Sequence, residues 1–310
     1  IHKLSQTGGC DIGARPIDLH LKAFENLGIN ISENTGYISC KCDIIKPGKI
    51  HFDFPSVGAT ENAILAATLA DGTTVISNAA MEPEIIDLQN FLNKLGAKIT
   101  GAGTSQIVIK GVAGLKDTGY KVMPDRIEAG TLLCAGAITG GNILLKNVIP
   151  QHLTPVLEKL EECGCNLDIG KEEILLQAPK KLQAVDIKTM PYPGFPTDMQ
   201  AIFATILTVA KGNSVIIENI FENRYKYIAE LQRMGAKATI EGRTAVIHGV
   251  RKLNGVNVEA TDLRGGAALV IAGLVARGKT RVNNIEYILR GYENLDGKLN
   301  KLGAKITKEV

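Results

Sequence analysis

Leu95-Gly96-Ala97-Lys98-Ile99-Thr100 and, after a glycine-rich turn, Gln106-Ile107-Val108-Ile109-Lys110 carry the reading of the fold. The glycine sits where an amphipathic helix needs a left-handed C-cap, and the alternating residues after it have the period of half-buried strands. The same close recurs at Cys163-Gly164-Cys165, Met234-Gly235-Ala236 and Leu302-Gly303-Ala304, with Gly28 as an earlier copy. Spacings of 68, 68, 71 and 68 residues between these glycines identify a duplicated supersecondary unit.

Four segments share its layout: Gly58–Gly96, Glu128–Gly164, Thr197–Gly235 and Thr261–Gly303. Each opens with a helix of small apolar residues, as in Asn62-Ala-Ile-Leu-Ala-Ala-Thr-Leu-Ala70, and turns at Gly72, Gly141, Gly212 or Gly278. A β-branched strand ending at Asn78, Asn147, Asn219 or Asn284 follows, then the second helix. Two strands come after each of the first three caps. Residues 1–27 contain a glycine-rich loop and one helix but no opening helix and strand, so the chain is expected to start inside a repeat. The pattern fits either a solenoid or a few copies packed as compact α/β domains.

Composition narrows the class. The 310 residues, 45% of them hydrophobic, suffice for two domains with real cores. A net charge of +3 without a dense Lys/Arg run argues against nucleic acid as a partner. The longest apolar run, Ala267 to Ala276, is too short to span a bilayer as a helix, which argues against a membrane partner. Six cysteines, at 10, 40, 42, 134, 163 and 165, lack zinc-like spacing and read as reduced thiols of a cytoplasmic protein. On a strand, Cys40 and Cys42 would share one face as small buried groups.

Three places could carry chemistry. The stretch Gly8-Gly-Cys-Asp-Ile-Gly-Ala-Arg-Pro-Ile-Asp-Leu19 places the Cys10 thiol in a glycine-rich loop near the cation Arg15. At ordinary pKa such a thiol is protonated and can donate a proton, although a surface loop with an incidental thiol is the plainer reading. Asp198, in Phe195-Pro-Thr-Asp-Met-Gln200, reads first as a helix cap or first-turn acid and second as a general base. Gly58, Glu128, Asp198 and Arg264 all fall near the start of an equivalent helix, so helix N-termini gathered at one cleft would surround one ligand. Arg126, Arg224, Arg264 and Arg290 lie at unit edges. Glycine beside Arg264 and Arg290 leaves room for a phosphate or carboxylate in the guanidinium fork. No phosphate loop, dinucleotide fingerprint or H-E-x-x-H occurs, which removes support for nucleotide hydrolysis, hydride transfer and zinc proteolysis.

The N-terminal stretch just quoted, with Pro55-Ser-Val-Gly-Ala-Thr60, Glu82-Pro-Glu-Ile85, Pro124-Asp-Arg-Ile-Glu128, Phe195–Gln200, Phe221-Glu-Asn-Arg224, Asp262-Leu-Arg264 and Arg290-Gly-Tyr-Glu293, resembles the UDP-N-acetylglucosamine 1-carboxyvinyltransferases. The resemblance runs in order along the whole chain. It implies an α/β (α+β) fold of two similar globular domains built from βαβαββ units, of the inverse α/β barrel type, with the first unit incomplete. The domains would be residues 1–122 and 123–310, with the active site between them. It further implies transfer of the enolpyruvyl group of phosphoenolpyruvate to the 3′-hydroxyl of UDP-N-acetylglucosamine, the first committed step of peptidoglycan precursor synthesis. No metal or organic cofactor is required by that scheme.

Carried over by position, Cys10 resembles the loop cysteine that donates a proton and is the target of fosfomycin. Asp198 resembles the aspartate that takes the sugar hydroxyl proton, and Arg290 stands with them as a catalytic residue. Arg15, Pro16, Ile17, Asp18, Leu19, Pro55, Ser56, Val57 and Ile220 fall where the family holds the UDP-sugar, and Arg224 joins this substrate-binding set. Arg264 and Arg290 resemble the arginines that bind the phosphate and carboxylate of phosphoenolpyruvate. The family's N-terminal segment also supplies a lysine, an asparagine and an arginine that have no counterpart in residues 1–310, which puts catalysis by this polypeptide alone in question. Two other readings stand beside this one: the shikimate-pathway enolpyruvyl transferase, against which the Cys10 loop argues, and a non-catalytic UDP-sugar-binding fragment.

Overall fold

Each closing glycine ends a helix in the left-handed region: φ is 77° at Gly28, 105° at Gly96, 93° at Gly164, 96° at Gly235 and 100° at Gly303. A Cβ would strain the backbone there, so the regular spacing of glycine reflects a regular spacing of helix ends. The computed structural model describes residues 2–5, 17–34 and 37–309.

In chain order the elements are β1 (His2–Ser5), α1 (Asp18–Asn26), β2 (Asn30–Asn34) and β3 (Tyr37–Lys41). Next come β4 (Lys49–His51), α2 (Val57–Ala67), β5 (Thr73–Ser77), α3 (Pro83–Lys94), β6 (Lys98–Thr100) and β7 (Gln106–Lys110). A third set is α4 (Arg126–Thr139), β8 (Asn142–Lys146), α5 (Thr154–Glu162), β9 (Asn166–Ile169) and β10 (Glu173–Gln177). A fourth is β11 (Ile187–Lys188), α6 (Thr197–Leu207), β12 (Asn213–Ile217), α7 (Lys226–Arg233), β13 (Lys237–Glu241) and β14 (Thr244–His248). The last holds β15 (Asn257–Glu259), α8 (Leu263–Gly273), β16 (Arg281–Asn283), α9 (Glu286–Leu289) and α10 (Leu295–Lys301).

The sheets repeat one topology. Strand orders β4-β5-β7-β6 and β11-β12-β14-β13 are the same pattern, with the first pair parallel and the other two antiparallel. Orders β1-β3-β2 and β8-β10-β9 repeat its antiparallel part, and β15-β16 its parallel part. A parallel pair needs a crossover, and α2, α6 and α8 supply it. The chain divides into two compact units. One holds the described residues up to Met123 with Pro191–Pro193; the other holds Pro124–Met190 and the described residues from Gly194 onward.

In the second unit the crossover helices are the core. α6 is buried almost all round, through Met199, Ile202, Phe203 and Ile206, and packs on both α4 and α8. A helix apolar on every face has to be enclosed by others. The approach to α4 is close: a Cβ on Gly130 would lie 2.9 Å from the Met199 thioether, so alanine there would need Met199 to move. In the first unit Ala59, Ala63, Ile64 and Ala67 of α2 pack among Phe52, Ile76, Ile85, Ile107 and Ile109.

Three expectations change. Residues 1–27 do contain a strand, β1, which pairs antiparallel with β3; four residues were too few to show a period. Cys42 lies beyond the end of β3 and is exposed, so it shares no buried face with Cys40. The asparagine equivalence is also out of register in one unit. The last paired residues of the second strands are Ser77, Lys146, Ile217 and Asn283. The residue after each is Asn78, Asn147, Glu218 and Asn284. The three asparagines are left-handed (φ 53°, 58° and 56°), and Glu218, not Asn219, holds the fourth position without adopting that conformation.

Candidate functional site

The helix starts of the second unit differ in how they satisfy their first N–H groups. Asp125 caps α4, its Oδ1 accepting from the N–H of Ile127 at 2.7 Å and of Glu128 at 3.1 Å. Asp262 caps α8, its Oδ1 accepting from Arg264 and Gly265, both at 3.0 Å. α6 has Pro196 at its N-cap and no side-chain cap. Asp198 is the second residue of α6 and turns away from it, which overturns the capping role while leaving it a first-turn acid.

Its carboxylate instead meets two guanidinium groups. Arg224 donates from Nη2 to Oδ1 at 3.0 Å and to the carbonyl of Thr197 at 3.2 Å. Arg264 donates from Nε and Nη2 to Oδ2 at 3.1 and 2.9 Å. The arginine side chains are 3% and 10% exposed, whereas that of Asp198 is 39% exposed. Burial pushes the Asp198 carboxyl upward, but the charges of Arg264 and Arg224 outweigh it and hold the group below the ordinary aspartate value. Arg264 shows the converse: burial opposes its charge, and Asp198 overcomes that and holds the guanidinium more firmly protonated. The Nη1 of Arg264 and Nε of Arg224 are buried without a hydrogen-bond partner among the described residues. Such buried guanidinium groups keep positive charge concentrated around Asp198.

Tyr292 joins three helices at this point. Its ring lies 5.1 Å from the Arg264 guanidinium, and its hydroxyl is 2.9 Å from Thr131 Oγ1 on α4. Glu128, near the start of α4, pairs with Lys298 of α10. The equivalent helix starts of α4, α6 and α8 are therefore linked. Arg290 caps the C-terminus of α9 two residues before Tyr292, and its side chain is exposed. Ile220 lies half-buried in the turn after β12, its N–H donating to Glu218 at 2.8 Å.

The remaining site residues belong to the first unit or lie outside the described residues. Ser56 caps α2, its Oγ accepting the N–H of Ala59 at 3.3 Å, with Pro55 before it and Val57 as the first helical residue. Ile17 precedes α1, which Asp18 and Leu19 open. Cys10, Arg15 and Pro16 lie outside the described residues. Tyr292 was visible in the quoted Arg290–Glu293 motif but drew no role. Glu218 carries no signal in the sequence, because Asn219 directly after it matches the asparagines of the other repeats. Among the described residues, no group of three or more His, Cys, Asp or Glu could hold a metal ion, and no helix is long and apolar enough to cross a membrane.

Repeated units around enclosed crossover helices, with Asp198 between two buried guanidinium groups at the start of α6, characterise the second unit. Residues 2–299 match the family described as EPSP synthase (3-phosphoshikimate 1-carboxyvinyltransferase), and the chain belongs to that family. It is 56% identical over 307 residues to UDP-N-acetylglucosamine 1-carboxyvinyltransferase 1 of Caldanaerobacter subterraneus subsp. tengcongensis, a match covering 99% of this chain and 74% of the relative. Its fold is similar to that of the enolpyruvyl transferase NikO from Streptomyces tendae, with a TM-score of 0.87 at 26% identity, covering 99% and 73% of the two chains. EPSP synthase from Acinetobacter baumannii shares the fold at a TM-score of 0.71 and 20% identity, covering 98% and 74%.

Proposed function

We propose that the protein transfers the enolpyruvyl group of phosphoenolpyruvate to the 3′-hydroxyl of UDP-N-acetylglucosamine, releasing phosphate in peptidoglycan precursor synthesis. The observation that carries this is the Asp198 carboxylate between two buried guanidinium groups. The 56% identical relative named for that acceptor supports the choice of sugar.

The chemistry is addition followed by elimination. The sugar oxygen bonds to C2 of phosphoenolpyruvate as its proton leaves to a base and C3 gains a proton. Loss of a C3 proton and of phosphate from C2 then restores the double bond. Negative charge gathers on phosphate and carboxylate oxygens throughout, which suits Arg224, Arg264 and Arg290. Held by both arginines, Asp198 is a weak base. A substrate anion drawn to the same guanidinium groups would compete for them and let the Asp198 pKa rise as substrate arrives. Cys10 is assigned the proton to C3 and is the expected site of fosfomycin alkylation. Arg15 to Leu19, Pro55 to Val57 and Ile220 are assigned to the UDP-sugar. The expected compartment is the cytoplasm, where free thiols such as Cys134, Cys163 and Cys165 persist.

The test is phosphate release by the purified protein with phosphoenolpyruvate and either UDP-N-acetylglucosamine or shikimate 3-phosphate. Release with the UDP-sugar and formation of its enolpyruvyl ether, seen by mass spectrometry, are expected. Release with shikimate 3-phosphate alone would replace the acceptor, and UDP-sugar binding without release would leave a binding protein.

A further inference from the structure

In three repeats the residue just after the strand that follows the crossover helix is a left-handed asparagine, and in the repeat that carries Asp198 that residue is Glu218. Glu218 is fully buried and, among the described residues, its carboxylate has no cationic side chain as a hydrogen-bond partner. Its partners are all donors of a fixed kind. Oε1 accepts the N–H of Ile220 at 2.8 Å and of Phe221 at 3.1 Å. The hydroxyl of Thr197, the first residue of α6, lies 3.1 Å from both Oε1 and Oε2 and donates to one of them. A buried carboxylate is costly unless it is fully hydrogen-bonded, so a neutral asparagine would be the easier residue for a turn alone. The cost is met where this turn has a second task. It leads through Ile220 and Phe221 to Arg224, and Thr197 is the neighbour of Asp198.

We propose that Glu218 is a positioning residue, whose buried carboxylate ties the start of α6 to the turn after β12 and so fixes where Asp198 meets Arg224. The inference rests on the reading of Asp198 as the reacting carboxylate. Arg224 reinforces the same link from the other side, donating to both the Thr197 carbonyl and Asp198. The two strands of this link, one from Glu218 to the Thr197 hydroxyl and one from Arg224 to the Thr197 carbonyl, hold a single residue. Together they fix the backbone from which the Asp198 side chain departs.

Two substitutions of unchanged volume test it. Glu218→Gln keeps Oε1 for the Ile220 and Phe221 N–H groups but removes the charge and sets an amide donor where Oε2 faced the Thr197 hydroxyl, and Thr197→Val removes that hydroxyl. Each should lower kcat about tenfold while KM for UDP-N-acetylglucosamine stays within about threefold, as expected for lost alignment rather than lost binding. The double variant should be no worse than the more impaired single variant, because both act on the one Glu218–Thr197 contact. On an Asp198→Asn background, Glu218→Gln should change kcat less than about twofold. The Asp198 carboxyl, which faces Arg224 and Arg264, should titrate at higher pH by NMR in both single variants, a readout that needs no turnover. If the wild-type protein catalyses no transfer, the proposed function fails and this titration alone decides Glu218. Unfolding of Glu218→Gln leaves Thr197→Val to carry the test. Unchanged kcat with unchanged Asp198 titration, or effects of Glu218→Gln and Asp198→Asn that multiply independently, would overturn the proposal.

Discussion

At the start of α8, Asp262 turns its carboxylate onto the helix and accepts the N–H groups of Arg264 and Gly265, while at the start of α6, Asp198 turns outward to Arg224 and Arg264. Position decides the difference. Asp262 precedes the first helical residue, where an oxygen can reach back to the second and third N–H groups. Asp198 lies two residues later relative to its helix, beyond that geometry, with Pro196 at the cap. A helix whose cap is relinquished leaves a carboxylate free for another partner, and here the partners come from 26 and 66 residues along the chain.

The sharpest test of this contrast is Asp198→Asn, which keeps shape and removes the base. Turnover should fall by about a hundredfold to ten-thousandfold, with UDP-sugar binding by calorimetry little changed. Near-normal turnover would make α6 and α8 alike. The pH dependence of stability comes next. The folded Asp198 pKa lies below the ordinary value of 3.8, so its stabilisation is present above that pH and is lost as pH falls through the lowered folded value. Denaturant midpoints of the wild type and Asp198→Asn should therefore draw together as pH falls from 3.8 through the lowered folded value; a gap that does not narrow over that fall would mean the arginines do not hold the carboxylate as described. Asp262→Ala should cost about 1 kcal/mol of stability, with Asp262→Asn restoring it. If Asp262→Ala instead removed turnover without loss of stability, the capping carboxylate would belong to the chemistry.

How far the sequence could reach follows the same line. Glycine C-caps, strand alternation and the repeat are local, and local rules foretold them at Gly28, Gly96, Gly164, Gly235 and Gly303. Asp198, Arg224 and Arg264 could each be marked as a candidate from neighbours in the chain. Their meeting could not, because it depends on α6 and α8 packing side by side and on the turn after β12. The Glu218 substitution was hidden by an asparagine one residue further on, since only strand register distinguishes a repeat position from its neighbour. Cys42 was misplaced for a related reason: period-2 spacing says which face a residue takes only while the strand continues, and β3 stops at Lys41.

The smallest expected effect concerns those thiols. Cys42 should react rapidly with a maleimide, whereas Cys163 and Cys165, which burial pushes up to about 12 and about 11, should label slowly in the folded protein. Peptide mapping after a short exposure would show it, and prompt labelling of Cys163 would mean that the second unit's core opens readily.

The two four-stranded sheets are open, and every open sheet offers its outer backbone to other chains. Their outer strands are β4 and β6 in one sheet and β11 and β13 in the other. Three of the four have only two or three residues, and each of the four carries a lysine, at Lys49, Lys98, Lys188 and Lys237. Short, positively charged margins are poor templates for a neighbour's strand. A fold made by repeating one unit multiplies its margins with each copy, and the same duplication that supplied three similar helix starts for one cluster of charges has carried this protection against aggregation along with it.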